Sequence, residues 1–420
     1  MCGVAGFWDP KQRYDRERLA SIIDPMIDQL RHRGPDRGGS FVDETAGLAV
    51  GVRRLAINDL SSDGDQPMHS SCGRWTITLN GEIYNFRALR HELEAAGERF
   101  RGHADTEVLL KLIERHGLDE ALRRSVGMFA FALWDRKEKS LTFVRDRLGK
   151  KPLYLGWIGG QLAYGSELKA LAVHPSFSAD VNRDAIALYL LHQHVPAPHS
   201  IWHGIIKLPP GTSLTMTETD LKHGRDLLEL VKPFWQIRDI AERGVRDELA
   251  IDQESAIERA DELLKLAVSE RMIADVPLGA FLSGGIDSSL IVALMQQAAA
   301  KPIKTFTVGF NEKDFSEAEQ ASKVARHLGT DHTEFLLTPE ETLDVALGLP
   351  DIYDEPFADP SQVPTYHVAK KARDAVTVCL SGDGGDEVFG GYGRYQMATS
   401  LDRRFRHLPS PLRRLTATML

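Results

Sequence analysis

Residues 276–300 read VPLGAFLSGGIDSSLIVALMQQAAA: a short apolar run, a Gly-Gly turn, then a segment with the length and apolar content of a helix. Strand, tight glycine turn and helix in that order open a parallel sheet whose strands return through helical crossovers. The pattern continues downstream. Strand-like IKTFTVGF (303–310) precedes helical SEAEQASKVARHLG (316–329) and the short strand HTEFLL (332–337), and AVTVCLSG (375–382) ends in a second glycine-rich turn. Upstream, SAIERADELLKLAVSERMI (255–273) carries apolar residues at helical spacing. Residues 251–420 therefore read as an α/β domain with a doubly wound parallel sheet.

The first half of the chain is built differently. GVAGFWD (3–9), GLAVGVRRLAI (47–57), WTITLNGEIYN (75–85), GMFAFALWD (127–135), SLTFVRD (140–146), KPLYLGWIGGQLAYGSE (151–167) and GTSLTMT (211–217) read as strands with turns. DRERLASIIDPMIDQLRHR (15–33), FRALRHELEAAG (86–97) and DTEVLLKLIERHG (105–117) read as helices between them. Residues 1–215 form an α+β domain on this pattern, and the charged, irregular stretch 216–250 reads as a linker.

Composition narrows the function classes. The 420 residues are 42% hydrophobic and 26% charged, which suits two or three globular domains and excludes a fibrous or wholly disordered chain. With 51 Lys+Arg against 60 Asp+Glu, the net charge of −9 argues against a nucleic-acid partner held by bulk electrostatics. Cys2, Cys72 and Cys379 offer no CxxC zinc spacing and no disulfide framework, and they suit a reducing cytoplasm. No run approaches the roughly 18–20 apolar residues of a bilayer span. MCGVAGFWDP lacks the basic start and long apolar run of a signal peptide, so no membrane partner is expected.

Cys2 follows the initiator methionine, and Gly3 is small. Removal of Met1 would leave a thiol and an α-amine on one residue. With an ordinary pKa of about 7.7–8.0, that amine can serve as the base for its own side chain. The surrounding motifs agree. MCGVAGF leads into RHRGPD (31–36), RRLAI (53–57), LNGEIYN (79–85) and HADTEV (103–108), and over about 200 residues their order and spacing resemble the class II glutamine amidotransferases. The resemblance implies an N-terminal-nucleophile (Ntn) sandwich that hydrolyses glutamine to glutamate and ammonia. Cys2 would be the nucleophile, with the Asn80 side chain and the Gly81 N–H as the oxyanion hole. Arg54 would hold the glutamine α-carboxylate, and Glu82 and Asp105 its α-ammonium. Arg33 and Asp36 are expected to hold their loop rather than touch substrate. The residue types fit these roles, because an oxyanion needs preorganised donors and a guanidinium grips a carboxylate bidentately.

FLSGGIDSS (281–289) lies between a strand and a helix, where backbone N–H groups and the helix dipole favour phosphate; no GxxxxGK[ST] occurs in the chain. The string resembles the pyrophosphate loop of the ATP pyrophosphatases. That resemblance implies a pocket for ATP from Leu282, Ser283, Gly284, Gly285, Asp287, Ser288, Ser289 and Val308. The second turn, SGDGGDEVFGGY (381–392), adds Ser381 and Gly382 to the pocket. Asp287 and Asp386 would hold Mg²⁺, a cation that prefers carboxylate oxygens.

Together the two halves resemble the glutamine-hydrolysing asparagine synthetase family across essentially all 420 residues. The resemblance implies a ligase whose small-molecule substrates are glutamine, ATP and aspartate, with ammonia passing inside the protein to a β-aspartyl-AMP intermediate. Asp383 stands where the family usually has a glutamate tied to that intermediate. It leaves open another carboxylate, such as a sugar acid of surface-polysaccharide synthesis, or a chain that only hydrolyses glutamine or binds nucleotide. A family member is also expected to continue beyond position 420, and a homodimer is one of the open assembly states.

Overall fold

The computed structural model describes residues 1–310, 317–407 and 409. They form two compact units, one of Met1–Val276 with Glu340–Val363, the other of Pro277–Pro339 and the chain from Pro364 onward.

The first unit holds β1 (Gly3–Trp8), β2 (Arg37–Asp43), β3 (Leu48–Arg54), β4 (Met68–His69), β5 (Trp75–Ile83) and β6 (Gly127–Asp135). It continues with β7 (Ser140–Arg145), β8 (Tyr154–Ile158), β9 (Gln161–Gly165), β10 (Ile205–Lys207), β11 (Thr212–Thr217) and β12 (Val231–Pro233). They pair as two six-stranded sheets, β10-β8-β9-β1-β3-β2 and β12-β11-β7-β6-β5-β4, with every pairing antiparallel.

Period-two alternation sorts the side chains into layers. In β1, Val4 and Trp8 pack between the sheets with Ala130, Trp134 and Phe143. Ala5 and Phe7 turn outward, onto Leu19, Ile23 and Met26 of α1 (Arg16–Asp28). On the other sheet Ile77, Leu79, Phe129 and Phe131 lie under α2 (Phe86–Ala95) and α3 (Asp105–His116). The order helix, sheet, sheet, helix is that of the expected Ntn sandwich. Trp8 and Trp134 meet edge to face at 5.1 Å, a geometry that adds about 0.5–1.5 kcal/mol to the burial itself. The same alternation aims Thr78 and Asn80 between the sheets, opposite to Ile77 and Leu79; Thr78 Oγ1 lies 3.3 Å from the Tyr164 hydroxyl.

The stretch expected to be a linker is partly folded. After β11, Thr217 caps the helix Glu218–His223 through a reciprocal box with Asp220, and β12 then adds an edge strand beside β11. Main-chain pairing overrides the polar composition here. The helix Ile237–Arg246, with no buried residue, keeps a linker's character. The segment Glu340–Val363 clusters with the first unit, although sequence order puts it in the second half. Its Glu355 carboxylate accepts from the Tyr154 hydroxyl (3.2 Å) and the Ile201 N–H (2.8 Å) and pairs with Lys207. Asp354 accepts from the Lys169 N–H at 2.9 Å.

The second unit holds β13 (Leu278–Phe281), β14 (Lys304–Phe310), β15 (Asp331–Leu337) and β16 (Val378–Leu380), all parallel, in the order β15-β14-β13-β16. The chain builds outward from β13 through β14 to β15, then returns to the other side of β13. Both glycine-rich turns thus leave the C-terminal ends of neighbouring strands, β13 and β16, where the strand order reverses. Doubly wound sheets bind ligands in that crevice. Among the described residues no helix is long and apolar enough to cross a membrane.

Candidate active site

Cys2 precedes β1 and belongs to the layer between the sheets. Its buried thiol donates to the Leu55 carbonyl at 3.7 Å. Burial pushes the thiol up, against the pull of the N-terminal charge. The thiol is therefore protonated at neutral pH and needs a base. The chain's α-amine, here on Met1, is lowered to about 5, first by burial and then by the Lys151 and Arg33 charges, with Cys2 opposing. Arg33 fixes the backbone of Cys2: Nε donates to the Cys2 carbonyl at 3.0 Å and Nη1 pairs with Glu167 at 2.6 Å. Asp36 accepts from the Ala56 N–H at 2.9 Å. Glu167 carries no sequence signal, yet its carboxyl is held at about 2; burial opposes this, and His32 and Arg33 outweigh it.

One cavity of about 40 Å³ is lined by Cys2, Arg54, Asn80, Gly81, Glu82 and Asp105, with Met1, Gln66, Met128 and Lys151 among its other walls. Asn80 is fully buried, and neither its Nδ2 nor its Oδ1 has a partner among the described residues. Leaving such atoms unpaired costs about 1–3 kcal/mol each, which a ligand oxygen at Nδ2 would offset. Register explains the aim, since Asn80 pairs with Ala130 on β6 and shares its inter-sheet face. Glycine at 81 is required by close approach: a Cβ would lie 2.3 Å from the Met128 carbonyl oxygen and 2.6 Å from the Phe129 Cα.

Arg54 is buried in the cavity wall, but its fork is already engaged. Nη1 meets the Ser61 carbonyl (3.3 Å) and Asp65 (3.0 Å), and Nη2 meets the Asn58 (3.2 Å) and Asp59 carbonyls. The bidentate grip expected for a carboxylate is thus turned onto the 58–65 loop. Arg54→Lys is expected to raise the glutamine KM by about tenfold, the scale of one charged hydrogen bond. Steady-state kinetics check this; an unchanged KM removes Arg54 from the site.

Asp105 opens α3 and accepts from the Ile83 (2.8 Å) and Thr106 (2.9 Å) N–H groups, yet burial raises its carboxyl. Burial and then the Asp105 charge push Glu82 up to about 7. Two carboxyls held above their usual range in one cavity favour a bound cation. Glu82 is charged only above about pH 7, so attraction for an α-ammonium fades as pH falls through that value. The glutamine KM is expected to rise about tenfold from pH 8 to pH 6, and Glu82→Gln to abolish the slope. A wild-type KM flat across this range contradicts the assignment.

In the second unit the SGGIDSS turn is stitched internally: Ser283 Oγ lies 2.9 Å from Ser288 Oγ and accepts from the Gly285 N–H at 3.2 Å. Gly284 adopts φ +84°, the left-handed region, and a Cβ there would lie 2.7 Å from the Ala321 nitrogen. The two turns abut, since a Cβ on Gly385 would fall 2.3 Å from the Asp287 carboxylate and one on Gly382 would lie 2.7 Å from the Ser288 nitrogen. Leu282 is buried just beyond β13, and Val308 lies on the neighbouring β14. Ser381 donates to Asp383 at 2.9 Å, closing that carboxylate onto its own turn. Asp386 leans toward Gly391. Ser289 departs from the expected cradle and lines a groove with Ala293, Lys323 and His327. Among the described residues no three His, Cys, Asp or Glu side chains form a ready-made metal cage. The expected pair Asp287 and Asp386 would hold Mg²⁺ only together with oxygens from a bound phosphate.

Fold and cavity define an amidotransferase-type Ntn sandwich joined to a doubly wound nucleotide-type sheet. Comparison with known proteins agrees: residues 1–227 match the glutamine amidotransferase domain family and residues 259–420 the asparagine synthase family. Asparagine synthetase [glutamine-hydrolyzing] 1 of Bacillus subtilis (strain 168) is 37% identical over 419 residues, covering 99% of this chain and 62% of that protein. Putative asparagine synthetase [glutamine-hydrolyzing] 2 of Methanocaldococcus jannaschii is 35% identical over 433 residues, covering 98% of this chain and 79% of that protein. The chain belongs to the glutamine-hydrolysing asparagine synthetase family. It spans under two thirds of the length of the Bacillus relative.

Proposed function

We propose that the chain makes asparagine from aspartate, with glutamine as nitrogen donor and ATP as activator. The observation that carries this reading is the convergence on one cavity of Cys2, the unpartnered Asn80 amide, Glu82 and Asp105. After Met1 is removed, the α-amine of Cys2 takes the thiol proton and the thiolate attacks the glutamine amide carbon. Asn80 Nδ2 and the Gly81 N–H receive the oxyanion. Ammonia leaves, and water cleaves the thioester to glutamate. Glu82 and Asp105 hold the substrate ammonium, and Arg54 orients the carboxylate end.

At the second site the aspartate β-carboxylate attacks the α-phosphate of ATP and pyrophosphate leaves. Ammonia carried within the protein then displaces AMP. Ser283, Gly284, Gly285 and Ser288 cradle the leaving pyrophosphate, beside Leu282, Val308, Ser381 and Gly382, and Asp383 faces the adenylate. Mg²⁺ held by Asp287 and Asp386 would offset the charge that develops on pyrophosphate. The free thiols of Cys2, Cys72 and Cys379 suit a cytoplasmic enzyme. Product analysis with glutamine, Mg·ATP and a panel of carboxylates tests the reading. Asparagine and AMP in equal amounts support it; AMP formed only with a sugar acid, or no AMP with any acceptor, overturns it.

A further inference from the structure

Lys151 is a buried cation that the steps above leave without a role. It sits between β7 and β8, is 4% exposed, and lines the same cavity as Cys2, Asn80 and Glu82. Its Nζ contacts the Met1 sulfur at 2.8 Å, a weak acceptor. Among the described residues no carboxylate forms an ion pair with it. A lone buried ammonium is costly, yet the backbone around it is clamped. Its N–H donates to Asp146 at 3.0 Å, a carboxylate that also accepts from the Phe129 (3.2 Å), Leu148 (3.1 Å) and Lys150 (3.0 Å) N–H groups. Its carbonyl accepts from Arg145 Nε at 2.9 Å, while the same guanidinium holds the Gly149 and Leu208 carbonyls, each at 2.8 Å. The loop delivers the ammonium to the N-terminus and fixes it there.

On the reading of Cys2 as an N-terminal nucleophile, we propose that Lys151 is a positioning residue of that site: its buried ammonium keeps the α-amine of Cys2 free of a proton, so the amine accepts the thiol's. Charges on the other elements act on the same amine. Cys2 itself and Glu82 at the end of β5 favour its protonation, and Arg33 after α1 opposes it; Arg54 at the end of β3 and Asp105 on α3 act on the Cys2 thiol. Asp146 is occupied by backbone donors, and Arg271, 4.1 Å over the Tyr84 ring, acts mainly on Tyr84 and more weakly on Glu82. With Met1 in place, Lys151 is first among the cations that lower the α-amine, which is then Met1's, and it lines the same cavity as Cys2. Burial brings Lys151 itself down to about 8, so it remains mostly charged at neutral pH. A neighbouring cation disfavours the ammonium form, so its removal must raise the amine's pKa.

The test is the pH dependence of glutamine turnover at saturating glutamine. Lys151→Met is expected to move the acid limb of kcat up by about one pH unit, while Lys151→Arg leaves it in place. An unmoved limb in a folded Lys151→Met overturns the proposal. Titration of the Cys2 α-amine by nitrogen-15 NMR, in the wild type and in Lys151→Gln, decides the case if the methionine variant does not fold. An α-amine midpoint about one unit higher in Lys151→Gln than in the wild type supports the role, and an equal midpoint overturns it. Wild type without glutaminase activity at any pH would instead sink the Cys2 reading, with the NMR midpoint still deciding Lys151.

Discussion

Cys2→Ala is expected to lose glutamine hydrolysis by about 10⁴-fold or more, the scale of removing a catalytic nucleophile. Ammonia-dependent synthesis should remain near wild type. Cys2 supplies the only thiol among the residues that line the cavity, and it shares that space with the unpartnered Asn80 amide. Cys2 belongs to the first compact unit. A protein in which Met1 is retained should behave alike, because Met1 stays in the cavity wall and the base stays acylated. Glutamate release at the wild-type rate from Cys2→Ala would overturn the nucleophile assignment.

Asp287→Asn is expected to lower AMP formation by about 10²-fold or more, since metal neutralisation of developing charge contributes several kcal/mol. Asparagine keeps the size of the side chain and removes its charge. Asp287 belongs to the first phosphate-type turn and stands against Gly382 and Gly385 of the second, at the reversal of strand order. Basal glutaminase should persist, because Cys2 belongs to the other compact unit. Pyrophosphate exchange at the wild-type rate in Asp287→Asn would remove the metal role.

The strands of the sandwich were legible as short runs of β-branched and aromatic residues between Gly, Pro and Asp; in GVAGFW the side chains at 4 and 8 face one layer and those at 5 and 7 the other. The residues of the cavity were legible for a different reason, the family motifs around Cys2, Arg54, Asn80 and Asp105. What those motifs could not convey is pairing across long sequence distances. Arg54 carries the expected residue type, yet its fork is taken by carbonyls of the 58–65 loop, whose path no motif records. Lys151 and Glu167 look like any surface charge in GKKPLY and GSELK, and only tertiary burial sets them apart. The packing of Asp354 and Glu355 on Lys169, Lys207 and Tyr154 crosses more than 140 residues and leaves no periodic trace. β12 was hidden by its brevity, being three residues inside a charged stretch.

Nitrogen transfer itself gives the most direct test. The wild-type enzyme would be supplied with glutamine labelled with nitrogen-15 at the amide, aspartate, Mg·ATP and an excess of unlabelled ammonium, and the asparagine analysed by mass spectrometry. Asparagine enriched in nitrogen-15 well above the labelled fraction of free ammonia, with one AMP per asparagine, is the expected result. Asparagine labelled only to the level of the free ammonia pool, or glutamate released with no asparagine formed, would contradict a glutaminase that feeds its nitrogen to an adenylated carboxylate.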